Sequence, residues 1–166
     1  NYDTNWVVYN TQNSGIPSDR INFVNVDAMG NVWVATDMGI GMYDRSNWYV
    51  WNTGNSGLPD DYITFIVFDR MNGSKWIGTF NGGLVNWLGN NFFVYNTSNS
   101  VIPSNTVTSF AYDTSSNKWV GTSNGVLIMS TGGWEVLNTQ NSRLSNNYVN
   151  NIYINPNNNV KFIATK

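Results

Sequence analysis

Five charged side chains interrupt the otherwise uncharged polar segments of this 166-residue sequence: Asp19, Arg20, Asp60, Asp61 and Arg143. Paired carboxylates are the raw material of glycoside hydrolysis, which needs one acid and one further carboxylate flanking the scissile bond. Asp60 and Asp61 are adjacent, so in an extended chain they point to opposite sides. Asp19 and Asp61 occupy nearly equivalent places in successive repeats, a slender basis for catalysis. Other chemistries lack their residues. The chain has no Cys and no His, which removes Ser–His–Asp and Cys–His nucleophiles, zinc sites, iron–sulfur clusters and disulfides. Residues 27–31 and 113–117 gather oxygens in the manner of calcium loops, but an EF-type loop closes on a Glu, and Glu135 is the single Glu. Both segments read as hairpin turns. The glycines at Gly39, Gly82-Gly83 and Gly125 are not phosphate loops, because no helix follows to offer its N-terminus. No cofactor and no metal are expected, and the chain is expected not to be an enzyme.

Binding is the stronger expectation. The segments 10–20, 52–61, 96–105 and 138–147 are rich in Asn, Ser and Gly, and Asn alone supplies 30 residues. Such side chains offer both donors and acceptors, which suits a hydroxyl-rich glycan or another polar ligand. The recurring Asn-Thr and Asn-Ser pairs also fit plain turn chemistry, with Asx side chains bonding their own backbone. Ligand contact is therefore sought where the copies differ. The candidate ligand-binding residues are Asp19, Arg20, Asp37, Asp60, Asp61, Asn81, Asn124 and Arg143.

What must position these residues is a repeat. Trp33, Trp76, Trp119 and Phe162 stand 43 residues apart, each opening a short phrase that ends in Thr. Asn-Thr recurs at Asn10, Asn52, Asn96 and Asn138, and Asn-Ser follows at Asn13, Asn55, Asn99 and Asn141. An aromatic precedes each (Trp6, Trp48, Phe92, Trp134), and Pro17, Pro59 and Pro103 follow, with Ser145 in the last copy. Each period reads as four short strands rich in β-branched and aromatic residues, separated by Asp/Asn/Gly turns. No window keeps a helical apolar period. A four-stranded unit recurring every 40–45 residues selects an all-β fold, a β-propeller of four-stranded blades. The single domain 1–166 divides into units of approximately 5–46, 47–90, 91–132 and 133–166. The strand-two tryptophans are expected between blades, and Ala35, Gly78, Gly121 and Ala164 are expected to permit close backbone approach.

The phrases 63–69 and 75–84, with 107–113 and 118–125, resemble the two-component regulator propeller repeat, whose pattern runs I-x-x-I-x-x-D-x-x-G-x-[LI]-W-[IV]-G-T-x-x-G-G-[IL]. The first copy departs at Ala35, and the last at Asn155 for Asp and Phe162 for Trp. The resemblance covers nearly the whole chain. It implies a non-enzymatic sensor or binding module of bacterial, extracytoplasmic location, periplasmic or secreted, that recognises a glycan or other polar ligand on its loop face. No kinase or receiver segment accompanies it. The alternatives are an assembly module whose open blade edges drive oligomerisation and a glycoside hydrolase relative.

Charged residues make up 11% of the chain and net charge is −2, so no basic field exists for nucleic acid or an anionic membrane. No apolar run approaches a membrane span, and no signal peptide is recognised. Starting at Asn1 without Met, the chain reads as processed, excised or incomplete. Three blades are expected complete. The fourth is expected to join residues 148–154 and 159–165 to 5–10 from the other end, one strand short. The ring is then a fragment of a larger one, a tight four-bladed ring, or one closed by two or more copies.

Overall fold

The computed structural model describes residues 6–69 and 71–166. Among them are fourteen strands and no helix. Turn chemistry cuts the chain into strands of 4–6 residues. The first sheet holds β1 (Ile21–Val26), β2 (Val32–Thr36), β3 (Gly39–Tyr43) and β4 (Trp48–Trp51) in chain order. The second holds β5 (Ile63–Phe68), β6 (Lys75–Thr79), β7 (Leu84–Leu88) and β8 (Asn91–Tyr95). The third holds β9 (Val107–Tyr112), β10 (Lys118–Thr122), β11 (Gly125–Ser130) and β12 (Gly133–Leu137). A two-stranded sheet, β13 (Val149–Ile154) with β14 (Lys161–Thr165), completes the series. All pairings are antiparallel. The first strands β1, β5, β9 and β13 adjoin one another in turn, so the sheets stand side by side in a propeller-like series of blades.

Apolar side chains fill the joints. Trp33 and Ala35 of the first blade meet Ile63, Ile66 and Trp87 of the second. Trp76 and Phe65 of the second meet Val107, Val120 and Leu127 of the third. Val126 of the third meets Val149 and Ile152 of the fourth unit, with Trp119 half-buried beside them. The tryptophans thus lie between blades as expected. At Gly78 the space is taken not by an approaching backbone but by side chains of the neighbouring strand, since a Cβ there would overlap the Phe65 ring and Thr64 Oγ1.

Each first strand carries a β-bulge that drops one residue from the ladder, namely Asn22, Thr64, Thr108 or Asn150. A bulge re-aims a side chain, and here it aims across the joint. Asn22 Nδ2 donates to the Ile63 carbonyl at 2.8 Å, Thr64 Oγ1 to Val107 at 2.7 Å and Thr108 Oγ1 to Val149 at 2.6 Å. The main chain adds a second link, since Gly39, Gly83 and Gly125 N–H groups donate to the carbonyls of Asp61, Asn105 and Asn147 in the following unit.

The expected split fourth blade is not formed. Asn5 lies outside the described residues, and residues 6–10 form no strand. Instead Tyr9 rests on Tyr43 and Trp48 of the first blade, with ring centres 5.1 and 5.8 Å apart. The physical reason is register. Residues 6–9 are equivalent to the outer strand β4, which pairs only with a third strand, and none stands beside β14.

Candidate functional site

The loop face is built from one repeated hydrogen-bond box. Asn10, Asn52, Asn96 and Asn138 each accept, on the side-chain oxygen, the N–H two residues on. Asn13, Asn55, Asn99 and Asn141 accept the N–H of those first asparagines and donate Nδ2 to the carbonyls of Val8, Val50, Val94 and Val136. Ser14, Ser56, Ser100 and Ser142 donate back to the carbonyl of the first Asn. The Asn-Thr and Asn-Ser phrases are therefore turn chemistry.

Asp19 and Asp61 belong to this box. Each accepts the N–H of Thr11 or Thr53 at 2.7 Å and approaches the same threonine's hydroxyl. Asn105 and Asn147 take the identical bond from Thr97 and Thr139 at 2.8 Å. Asp60 turns the other way, accepting the N–H groups of Tyr62 at 3.0 Å and Asn81 at 2.7 Å. The two adjacent carboxylates thus serve separate partners. Asn124 donates Nδ2 to the Pro103 carbonyl at 3.3 Å and accepts from Asn147 at 3.5 Å. Arg143 is exposed on the rim of an open cleft lined by Trp119, Leu144, Lys161 and Ile163, apart from the others.

Where the copies truly differ is one strand further in. Arg20, Tyr62, Thr106 and Tyr148 immediately precede the adjoining first strands. Asp37, Phe80, Ser123 and Lys166 follow the ends of the second strands. In three units the backbone holds these positions together, since Phe80, Ser123 and Lys166 donate N–H to the carbonyls of Tyr62, Thr106 and Tyr148. The side chains then diverge. Arg20 Nη1 lies 3.9 Å from Asp37 Oδ2, while its guanidinium stands 5.7 Å from the Tyr62 ring centre. Tyr62 and Phe80 have ring centres 5.1 Å apart. Ser104 and Ser123 hydroxyls share a hydrogen bond of 2.7 Å. Lys166 Nζ sits 3.7 Å from the Tyr148 ring centre. Asp37 Oδ1 is buried with no hydrogen-bond partner among the described residues. This rim presents cations, a carboxylate, hydroxyls and aromatic planes side by side. Of the sequence candidates it gathers Arg20 and Asp37. Tyr62, Phe80, Tyr148 and Lys166 were missed by sequence reasoning, although the differences between copies at these positions mark them.

The half-buried Asp27 and the buried Asp113 lie away from this face. Burial pushes Asp27 and Asp113 up, but bonds from the indoles of Trp33 and Trp119, from Asn31 and Asn117, and from the turn backbone outweigh it, so both are held below the usual carboxylate range. They fasten the turns and the tryptophans. Among the described residues no cluster of metal-ligating side chains occurs.

The fold is a propeller-like series of antiparallel sheets whose first strands adjoin. In structure the chain is similar to the extracellular domain of one hybrid two-component system protein from B. thetaiotaomicron, with a TM-score of 0.75, 20% identity, and 95% of this chain against 22% of that one. A second such domain from the same organism gives a TM-score of 0.71 and 26% identity over 89% of this chain and 20% of that one. Virginiamycin B lyase from Staphylococcus aureus shares the fold more distantly, with a TM-score of 0.63 and 13% identity over 91% and 57% of the two chains. No family model and no curated relative matches. These likenesses bear out the resemblance to two-component regulator propellers, and the extracellular setting of the first two supports the expected extracytoplasmic location. The chain spans about a fifth of those two domains.

Proposed function

We propose that this chain is a sensor-type segment of a β-propeller that binds a polar ligand, a glycan foremost, outside the cytoplasm and catalyses no reaction. The observation that carries this reading is the rim of Arg20, Asp37, Tyr62, Phe80, Tyr148 and Lys166. The scaffold repeats nearly unchanged beneath it, while these positions change chemistry from blade to blade. Aromatic planes suit the apolar faces of sugar rings, and charged and hydroxyl groups suit their polar edges. The non-enzymatic reading is supported by the engagement of Asp19, Asp60 and Asp61 in holding loops. It is supported further by the absence of histidine, since replacing a histidine inactivates the S. aureus lyase.

The test is a glycan array followed by calorimetry on the hits. Replacing Arg20, Tyr62 or Tyr148 with Ala is expected to weaken binding roughly tenfold or more, about 1.4 kcal/mol, without lowering Tm. An array with no hits, or binding indifferent to all three replacements, refutes the proposal. Cleavage of any glycan by the purified protein refutes its non-enzymatic part.

A further inference from the structure

The outer strands of the first two blades leave an open cleft of about 410 Å³ between them. That volume lies within the range of roughly 300–1,000 Å³ found for small-ligand sites. One wall is Trp51 of β4 with the loop 55–57, and the other is Trp87, Phe92 and the hairpin tip Asn90-Asn91 of the second blade. None of the described residues lining it is charged. The lining comes from residues 51–57 and 87–92 alone, so the cleft belongs to an internal joint and not to either end of the blade series. It shares no residue with the rim of Arg20, Asp37, Tyr62, Phe80, Tyr148 and Lys166.

The aromatic rings of the cleft are fixed in advance. Trp51 stacks on Trp33 with ring centres 5.3 Å apart and meets Trp87 edge-on at 5.1 Å. Trp87 stacks on Phe92 at 4.8 Å, has the Lys75 ammonium 4.5 Å from its ring centre, and donates its indole N–H to the Gly89 carbonyl at 2.7 Å. Rings held in this way have little freedom left to lose on binding. The polar groups divide into two kinds. Asn55 and Ser56 make their side-chain bonds inside the asparagine box. Asn90 and Asn91 are exposed at the tip of the hairpin, where a primary amide offers two donors and an acceptor.

The joint between the second and third blades lacks this chemistry. By strand register Tyr95 stands in the place of Trp51, Met129 in that of Trp87, Trp134 in that of Phe92, and Gly132-Gly133 in that of Asn90-Asn91. Trp134 reaches across to Tyr95 of the preceding blade, with ring centres 5.1 Å apart, whereas Phe92 lies on Trp87 of its own blade. The scaffold is shared, and the two indoles and two free-standing amides are particular to one joint.

We propose that this cleft is a second binding site, separate from the rim, and that it takes a single uncharged sugar residue. Aromatic rings suit the apolar face of a pyranose, and the paired amides of Asn90 and Asn91 suit neighbouring hydroxyls on its edge. The uncharged lining gives a sugar acid or a phosphate no counter-charge to offset its desolvation.

The test is NMR on the intact chain with the methyl glycosides of glucose, galactose, mannose and xylose, and with that of glucuronate as the charged comparison. Saturation transfer to at least one uncharged glycoside is expected, with a Kd on the order of 1 mM and shifts of the Trp51 and Trp87 indole N–H signals. Asn90→Ala combined with Asn91→Ala, at an exposed hairpin tip, is expected to weaken that binding roughly fivefold or more and to leave Tm unchanged. No transfer to any of the four uncharged glycosides overturns the proposal, as do equal or tighter binding of the glucuronide, indole signals that stay in place, and binding indifferent to the double replacement. Binding that Tyr62→Ala removes and the double replacement spares assigns the sugar to the rim, which overturns the cleft and leaves the rim reading standing.

Discussion

The ammonium of Lys75 stands 5.1 Å from the ring centre of Trp33, across the boundary between the first two blades, and 4.5 Å from that of Trp87. Burial pulls its pKa down from the ordinary lysine value, with the charge of Asp27 opposing the shift. The cation is therefore kept in a half-buried place by two indole faces. Lys75→Met preserves the aliphatic stem and removes the charge, and is expected to cost about 0.5–1 kcal/mol. Lys75→Ala is expected to cost more, because the stem also leaves the joint. Urea midpoints followed by tryptophan emission check both, and equal losses would show that the charge contributes nothing.

Acid should loosen the joints. Asp27 and Asp113 are held low in the folded chain, whereas an unfolded aspartate titrates near about 3.9. Protonation therefore favours the unfolded chain. The stabilisation is complete above the unfolded pKa and is lost as pH falls through the lower folded values. Tm is expected to hold steady from neutral pH down to about 5 and to fall steeply below about 4. Asp113→Asn, which cannot titrate, is expected to start less stable and to show a shallower acid fall. Melts across pH, variant against wild type, decide the matter.

Asp61 offers a clean separation of structure from chemistry. Asn105 and Asn147 already perform its bond in other loops. Asp61→Asn is expected to be nearly neutral in stability, while Asp61→Ala leaves the Thr53 N–H without its acceptor and is expected to cost about 1–2 kcal/mol. Thermal melts test this, and an Asp61→Asn loss as large as that of Asp61→Ala would refute the assignment.

Gly83 turns the chain at a φ of +93° beside the carbonyl of Tyr95. A Cβ there would collide with that carbonyl. Gly83→Ala is expected to lower stability by about 1–3 kcal/mol, read as a drop in urea midpoint. Gly73, also at positive φ but with open space around it, is expected to lose less on the same change.

The strands were legible because every signal repeats. The segment from Ile21 to Trp51 reads as four apolar runs and folds as β1 to β4 almost residue for residue. The joints were legible in part. The spacing of Trp33, Trp76 and Trp119 placed them between blades, but nothing in residue type disclosed the bulges at Asn22, Thr64 and Thr108, which are matters of backbone register. The site was read less well. Charge singled out Asp19 and Asp61, yet each replaces an asparagine that accepts the same bond. Tyr62 and Tyr148 looked like ordinary loop ends, because their nearness to Phe80 and Lys166 depends on strand pairing. The placement of residues 6–10 failed for a similar reason: an outer strand needs a neighbour on which to ladder, and sequence equivalence does not supply one.

The asparagine boxes and bulge bonds confine the skeleton's wiring to residues that never reach the inner rim. Rim chemistry and architecture are thereby uncoupled along the sequence. Exchanging an arginine for a tyrosine on that rim leaves every strap beneath it fastened, so a gene encoding such units can change the chemistry it displays there by point substitution while inheriting its framework intact.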